Sequence, residues 1–422
     1  MLVQFRFNDF KCFKDDTILS MVSSDSVCHK DGSYVVKNGR KVLTSAVVYG
    51  ANASGKTKLF QAYHFMERMI CDLAYNNKSN WQANYVPFAL SEDVDEHESS
   101  FEVVFYVKDI LFRYGYTVDG KNVIEEWLYR TNQDKEIEVF YRDDEGIDYN
   151  KVYINKEVAE PLIRKKMIRT DTLFLSVLAT WNLPFARMLV RWFYNTNVLT
   201  GTSSMVGYSV ESLGTPRKEK MLKFIRSADI NIEDMFLNEA NINDMPDEIR
   251  AQIMSQSKET DSILIDGVNT IHKVYDKDGL SHKSVKFNLE SDESFGTAKL
   301  FSLSAPIIDT LENGKVLWVD EIDNGLHSDL LKALVALFSS PLNRYNAQLI
   351  INTHNIDLIS DTKVFERDQV YIVLKNRFGE SSLIPVLNFA LSENDKSIGQ
   401  LYREGRLGGV PYLAQFMQNV ID

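Results

Sequence analysis

The feature that most restricts how this chain can fold is the octapeptide Gly50-Ala51-Asn52-Ala53-Ser54-Gly55-Lys56-Thr57. It fits GxxxxGK[ST], and its flanks fit as well. The apolar run Ser45 to Tyr49 leads in, and Gly55 to about Leu73 leads out with helical spacing and no proline. A strand, a glycine-rich turn and a helix start together make a phosphate cradle. The glycines let the backbone wrap an anion, the loop amides point inward, and the positive end of the helix adds to the field. Lys56 can neutralise the β- and γ-phosphates, and the Thr57 hydroxyl can ligate Mg²⁺. A chance glycine- and serine-rich turn would have to supply strand, helix, lysine and threonine by accident. ATP and Mg²⁺ are therefore the expected ligands, with Gly50, Asn52, Ala53, Ser54, Gly55, Lys56, Thr57 and Lys58 as nucleotide-binding positions.

A P-loop alone does not choose among kinases, GTPases, motors and transporter-type ATPases. The second half of the chain narrows the choice. Val316-Leu317-Trp318-Val319 is an apolar strand that delivers Asp320 and Glu321 at its carboxyl end, the edge where ligands collect in open α/β sheets. Asp320 would hold Mg²⁺ through its water shell, and Glu321 would act as general base on the attacking water. Strand-end acidic pairs also occur as plain turns. Gln348 to Asn352 reads as a second buried strand, followed by Thr353 and His354; a neutral imidazole there could contact the γ-phosphate and the water. Glu293-Ser294-Phe295-Gly296-Thr297 stands directly before a helix and forms another anion-binding nest. One chain has no need of two such nests for one ATP. Two chains packed head to tail would use both, with Ser294 and Gly296 closing on the other chain's nucleotide. The plainer alternative is that Ser294 or Thr297 caps the helix.

The rest of the chain reads as alternating elements. Meander strands are expected at Phe101 to Tyr106, Leu111 to Tyr116 and Ile124 to Tyr129. The middle, about Asn155 to Ser257, is helix-prone, broken by a Gly/Ser loop at Thr200 to Gly207. A strand pair follows at Ile271 to Tyr275 and Val285 to Leu289. Helices are expected over Thr297 to Leu311 and Ser328 to Ser339, and late strands over Gln369 to Leu374 and Ser382 to Val386. This places a head's first part at residues 1–150, a mainly helical insertion at 151–265, and the head's second part at 266–422. The fold class is α/β, with a P-loop, a mixed β-sheet nucleotide lobe and a largely helical insertion.

Composition bounds the partners. The 422 residues carry 47 lysines and arginines against 59 aspartates and glutamates, a net charge of −12. Bulk charge therefore does not favour nucleic acid, and DNA is an optional partner that would need a local basic patch. Two clusters qualify, Arg164-Lys165-Lys166 with Arg169, and Arg217-Lys218 with Lys220 and Lys223. No run approaches a membrane span, and the start lacks a signal-peptide layout, so a cytoplasmic location is expected. Three scattered cysteines make neither a zinc cluster nor a disulfide framework.

These motifs resemble the ABC-type ATPase heads of the SMC, RecF and OLD group. Phe7-Asn8-Asp9-Phe10-Lys11-Cys12-Phe13 is similar to that group's N-terminal Asn-Phe-Arg/Lys-Ser-Phe strand, and the resemblance makes Lys11 a nucleotide-proximal position. The chain also looks like the compact AAA-family ATPases of bacterial defence islands, such as the RloA/AbiLi and AriA types. Supporting stretches include Phe174 to Val177, Asp229 to Asp234, Arg367 to Val370 and Gly405 to Leu413. The resemblance implies an ATPase that works as a homodimer with composite sites, with further assembly left open. It would sense a phage protein and control a separate nuclease or toxin. A RecF-like DNA-repair clamp is the alternative. Ser294-Phe295-Gly296-Thr297 departs from the transporter signature Leu-Ser-Gly-Gly-Gln, and His327 stands where transporters carry aspartate. Only 68 residues follow His354, too few for the nuclease domain that OLD proteins carry there.

Overall fold

A computed structural model describes the chain except residues 77–79, 91–96, 133–134, 201, 229–230, 242–262, 362–363, 392–395 and 411–422. Asp229, Ile230, the later part of the helix-prone middle, and Pro411 to Leu413 lie outside the described residues. The chain divides into two compact units. One holds Met1–Thr200, Thr310–Asp323 and Leu331–Asp422, and the other holds Gly201–Asp309 and Asn324–Leu330.

The first unit is built on two sheets. Short-range alternation of apolar and polar residues produces an antiparallel meander, because each strand buries one face and turns at Lys108-Asp109 and Asp119-Gly120. The meander strands Ser99–Val107, Ile110–Val118, Val123–Asn132, Lys135–Arg142 and Ile147–Tyr149 continue across the N-terminal strand Leu2–Phe7 to Thr17–Ser20, giving seven strands. The second sheet has six strands in the order Asn197–Leu199, Val316–Val319, Gln348–Asn352, Ser45–Gly50, Val370–Lys375 and Ser381–Pro385. All its pairings are parallel except the last. Continuous burial along Ser45–Gly50, Val316–Val319 and Gln348–Asn352 explains why these strands read as apolar runs.

One side chain stitches the two sheets together. Fully buried Gln348 accepts from the Leu2 amide (2.5 Å) and donates to the carbonyls of Leu2 and Leu43 (2.9 Å each). Between the sheets lies a core rich in aromatics, with the helix Lys56–Asn76 running through it. The helices Lys156–Arg164, Phe174–Thr180 and Pro184–Tyr194 lie in the stretch read from sequence as an insertion. In the structure Leu162, Phe174, Leu178, Leu189 and Phe193 all join this unit's core. Glu126, with no exposed surface, accepts from the amides of Phe174 (2.5 Å) and Leu175 (2.9 Å) and from the Tyr114 hydroxyl (3.0 Å). It thus supplies partners for the first amides of the helix Phe174–Thr180.

The second unit combines the antiparallel strands Asp234–Asn241, Ile263–Asp276 and Gly279–Asn288 with helices Thr202–Leu213 and Lys218–Arg226. The Gly/Ser loop expected at Thr200 to Gly207 is instead largely helical from Thr202. Packing overrides the weak helix propensity of Ser, Thr and Gly there. Val206, Val210 and Leu213 join this unit's core, and buried Ser209 donates to the Ser302 carbonyl (3.0 Å). The apolar stretch before the P-loop holds two strands, Arg40–Leu43 and Ser45–Gly50, that part at Thr44. Arg40–Leu43 leaves to pair with Tyr34–Lys37, and Thr44 bonds to Ser33 and Gly32 at the break.

Candidate nucleotide site

The parallel register aligns the carboxyl ends of three neighbouring strands. Val319 pairs with Ile351, and Ile351 with Val47, so the P-loop, the Asp320–Glu321 pair and the Thr353–His354 turn leave one edge of the sheet. The Trp318 ring sets the spacing below them. It stacks on Tyr63 (centroids 4.5 Å apart) and meets Phe60 edge-on at 5.3 Å, locking the strand of Asp320 to the P-loop helix.

At that edge three side chains and one backbone amide form a hydrogen-bonded chain. Thr57 Oγ1 donates to Asp320 Oδ1 at 3.1 Å. The Asn352 amide donates to the same carboxylate, and its Oδ1 accepts from the Glu321 backbone N–H at 2.7 Å. Asn352 is completely buried, so its geometry is fixed from all sides. Glu321 adopts φ +49°, a left-handed conformation that costs a side-chain-bearing residue about 1–2 kcal/mol. The bond from Asn352 holds that turn. Asn352 therefore clamps both acidic residues, and sequence reading gave it no role. The signal was present, as a carboxamide at the end of a fully buried apolar strand.

The P-loop has the shape its glycines predict. At Gly50 (φ +157°) an added Cβ would come within 2.6 Å of the Val373 carbonyl. At Gly55 (φ +117°) it would meet Cys12 Sγ at 2.8 Å. Lys56 is 7% exposed and donates to the carbonyls of Gly50 (2.8 Å) and Ala51 (3.1 Å). Burial lowers its pKa, and the charges of Glu321, Asp320 and Asp323 pull it back up. Ser54 Oγ is buried without a hydrogen-bond partner among the described residues, while its carbonyl accepts from Ser381 Oγ (2.6 Å). An orphaned hydroxyl beside a glycine cradle and a buried lysine fits a bound phosphate. The set Thr57 and Asp320 fits Mg²⁺, which takes few protein ligands and keeps several waters. Among the described residues no group of three or more His, Cys, Asp or Glu forms a denser metal site.

His354 stands at the same edge, its amide donating to Asp323 Oδ2 (3.1 Å). Its pKa is lowered, first by burial and then by the Lys56 charge, against opposing pulls from Asp323 and Glu321. The imidazole is therefore neutral at pH 7. Asp323 Oδ1 is buried with no partner among the described residues, which marks Asp323 as a second residue missed from sequence. Lys11 (φ +56°) has its ammonium 5.5 Å from the Phe10 ring centre. Burial, followed by repulsion from Lys58, depresses the Lys11 pKa. Lys375, from the strand beside the P-loop, donates to the Ala53 carbonyl at 3.4 Å.

Ser294 and Gly296 belong to the second unit, and each has a local task there. Ser294 Oγ accepts from the Thr297 amide (3.1 Å), capping the helix Phe295–Asn313. A Cβ at Gly296 would meet the Gly325 carbonyl at 2.6 Å, so only glycine admits that loop. His327 Nδ1 accepts from the Asp329 amide (3.3 Å) at the start of the helix Ser328–Phe338.

Comparison with known proteins decides the family. Residues 45–162 and 211–361, well over half of the chain, match the family described as "AAA domain, putative AbiEii toxin, Type IV TA system". The chain belongs to this AAA-domain family. No curated protein matches it. Among solved structures, an SMC head bound to the C-terminal winged-helix domain of ScpA aligns over 91% of this chain and 97% of its own, at 12% identity and a TM-score of 0.45. The SMC head domain of Thermotoga maritima aligns over 91% and 98%, at 12% identity and 0.39. The chain is thus an AAA-domain protein of the α/β class with a P-loop at the end of its mainly parallel sheet. Among the described residues no helix is long and apolar enough to cross a membrane.

Proposed function

We propose that this protein is a Mg²⁺-dependent ATP hydrolase that closes as a head-to-tail homodimer and controls a separate effector protein in defence against phage. The observation that carries the hydrolase reading is the bonded chain Thr57–Asp320–Asn352–Glu321 beside a P-loop with an unpartnered buried hydroxyl. The loop from Gly50 to Gly55, with Asn52, Ala53 and Ser54, wraps the phosphates. Lys56 exchanges its two backbone carbonyls for phosphate oxygens, and Lys58 and Lys11 add positive charge nearby. Thr57 and Asp320 hold Mg²⁺, which when bound supplies Lewis-acid stabilisation of the phosphoryl oxygens. Glu321, aimed by Asn352, takes a proton from the attacking water. Neutral His354, fixed through its backbone by Asp323, bonds to the γ-phosphate or that water.

In this reading Ser294 and Gly296 of one copy face the nucleotide of the other, a role compatible with capping because Ser294 caps as an acceptor and, with Thr297 donating in their mutual bond, keeps its O–H to donate to a phosphate. The family match to a toxin–antitoxin type and the resemblance to the RloA/AbiLi and AriA types support effector control. The substitution Glu321→Gln tests the chemistry. It should retain ATP binding, lower turnover by about 10²–10⁴-fold, and trap the dimer in the presence of ATP and Mg²⁺. Undiminished phosphate release would remove Glu321 from its role, and a monomer at every nucleotide state would remove the composite site.

A further inference from the structure

The helix Pro184–Tyr194 turns one face to the core and leaves the other lining a cleft of about 530 Å³ with Tyr75 from the P-loop helix. Arg187 and Arg191, one turn apart, stand over this cleft, and Met188 and Trp192 form its apolar floor. Tyr75 and Tyr194 stack at 4.2 Å and are 46% and 57% exposed, and Trp181 at the neighbouring helix end is 54% exposed. Tyrosine, tryptophan and arginine gathered around an apolar depression is the composition of an interface hot spot.

The charges are the telling part. Some arginines of this unit carry carboxylates, as Arg6 does Asp16, Arg68 Asp72, Arg113 Glu136 and Arg169 Asp171, whereas others, such as Arg40 and Arg377, make no ion pair among the described residues. Among the described residues neither Arg187 nor Arg191 makes an ion pair; Arg187 donates only to the Asn182 side chain (3.3 Å). Like charges at this spacing destabilise a helix. The helix dipole favours Arg191 in the last turn but does nothing comparable for Arg187 in the middle.

We infer that this cleft docks a segment of a partner protein that presents carboxylates alternating with large apolar side chains. The carboxylates would bridge Arg187 and Arg191 in bidentate pairs, and an apolar side chain would settle on Met188 and Trp192. A single-stranded nucleic acid could also stack on the tyrosines. It would need a basic track along its backbone, and two arginines in a cleft also lined by Asn182 and Asn195 do not make one.

The test uses the full chain and a fluorescent twelve-residue peptide of alternating aspartate and leucine. Anisotropy should report saturable binding that weakens at least tenfold in the double variant Arg187→Gln/Arg191→Gln and in the asparagine–leucine version of the peptide. Thermal unfolding and ATP turnover, measured on the same samples, should match wild type, which separates failure here from failure of the ATPase reading. The inference falls if the peptide does not bind the wild-type chain, if both variants of the experiment bind equally well, or if a thymidine oligonucleotide displaces the peptide from the same arginines.

Discussion

At the scale of single residues, the site depends on how two carboxylates and one imidazole are held. Asn352 settles the placement of the two acids: its two polar ends are spent on the Asp320 carboxylate and on the Glu321 backbone amide, so neither that carboxylate nor the Glu321 backbone can turn without breaking a hydrogen bond. The imidazole is settled by electrostatics. Free histidine titrates near 6.5, and burial together with Lys56 holds His354 below that value. Protonation therefore sets in at a lower pH than for a free side chain, and the neutral form that accepts a hydrogen bond persists as acid is added. The acid-side loss of turnover that depends on neutral His354 should have its midpoint below 6.5, because the folded site lowers the pKa of the imidazole. A kcat profile on wild type and on His354→Gln checks this. The variant should be slower throughout and lack the decline, whereas a wild-type midpoint at or above 6.5 would contradict the assignment.

At the scale of elements, the site's geometry is a packing result. Trp318 sits fully buried between the P-loop helix and the strand of Asp320, touching Tyr63, Phe60 and Phe5. Truncating it removes the spacer between the two halves of the site. Trp318→Ala should cost about 3–5 kcal/mol and raise KM for ATP along with it. Trp318→Phe should cost well under half of that, because an aromatic remains and the indole N–H, which has no partner among the described residues, is lost without penalty. Urea unfolding of both variants tests the order. The same elements show what sequence reveals and what it hides. Gly50 to Thr57, Asp320, Glu321 and His354 are legible because their chemistry demands fixed residue types at fixed places along strand and helix. Asn352 and Asp323 are not, because their roles arise only when the strands Val316–Val319 and Gln348–Asn352 lie side by side. The helix Thr202–Leu213 was hidden for the same reason: its Ser, Thr and Gly residues argue for a loop until Val206, Val210 and Leu213 find a core. The strands Thr17–Ser20 and Asn197–Leu199, only 4 and 3 residues long, carry too little periodicity to be read alone.

At the scale of the whole molecule, the question is whether a net charge of −12 hides a surface for DNA. Half of the eight residues in the two basic clusters that would have to supply it are held in ion pairs. Arg164 lies 3.6 Å from Glu160 and Arg169 pairs with Asp171 at 2.5 Å. Arg217 is bound to buried Asp309 at 2.9 Å and Lys218 to Asp234 at 2.8 Å. A phosphate would have to displace these carboxylates, losing an ion pair for each one gained. Counterion release therefore supplies little net driving force, and the salt dependence that marks a DNA clamp should be missing. With duplex DNA, ATP and Mg²⁺, affinity should be weaker than roughly 10⁻⁴ M at physiological salt. The slope of log affinity against log salt should correspond to about one or two phosphate contacts rather than the 6–10 of a dedicated binder. Fluorescence titrations at several salt concentrations, run on wild type and on Glu321→Gln held in its ATP-bound state, give both numbers. A steep slope in the ATP-bound variant alone would mean that closure assembles a basic surface from two copies, and would move the protein toward the DNA-clamp function.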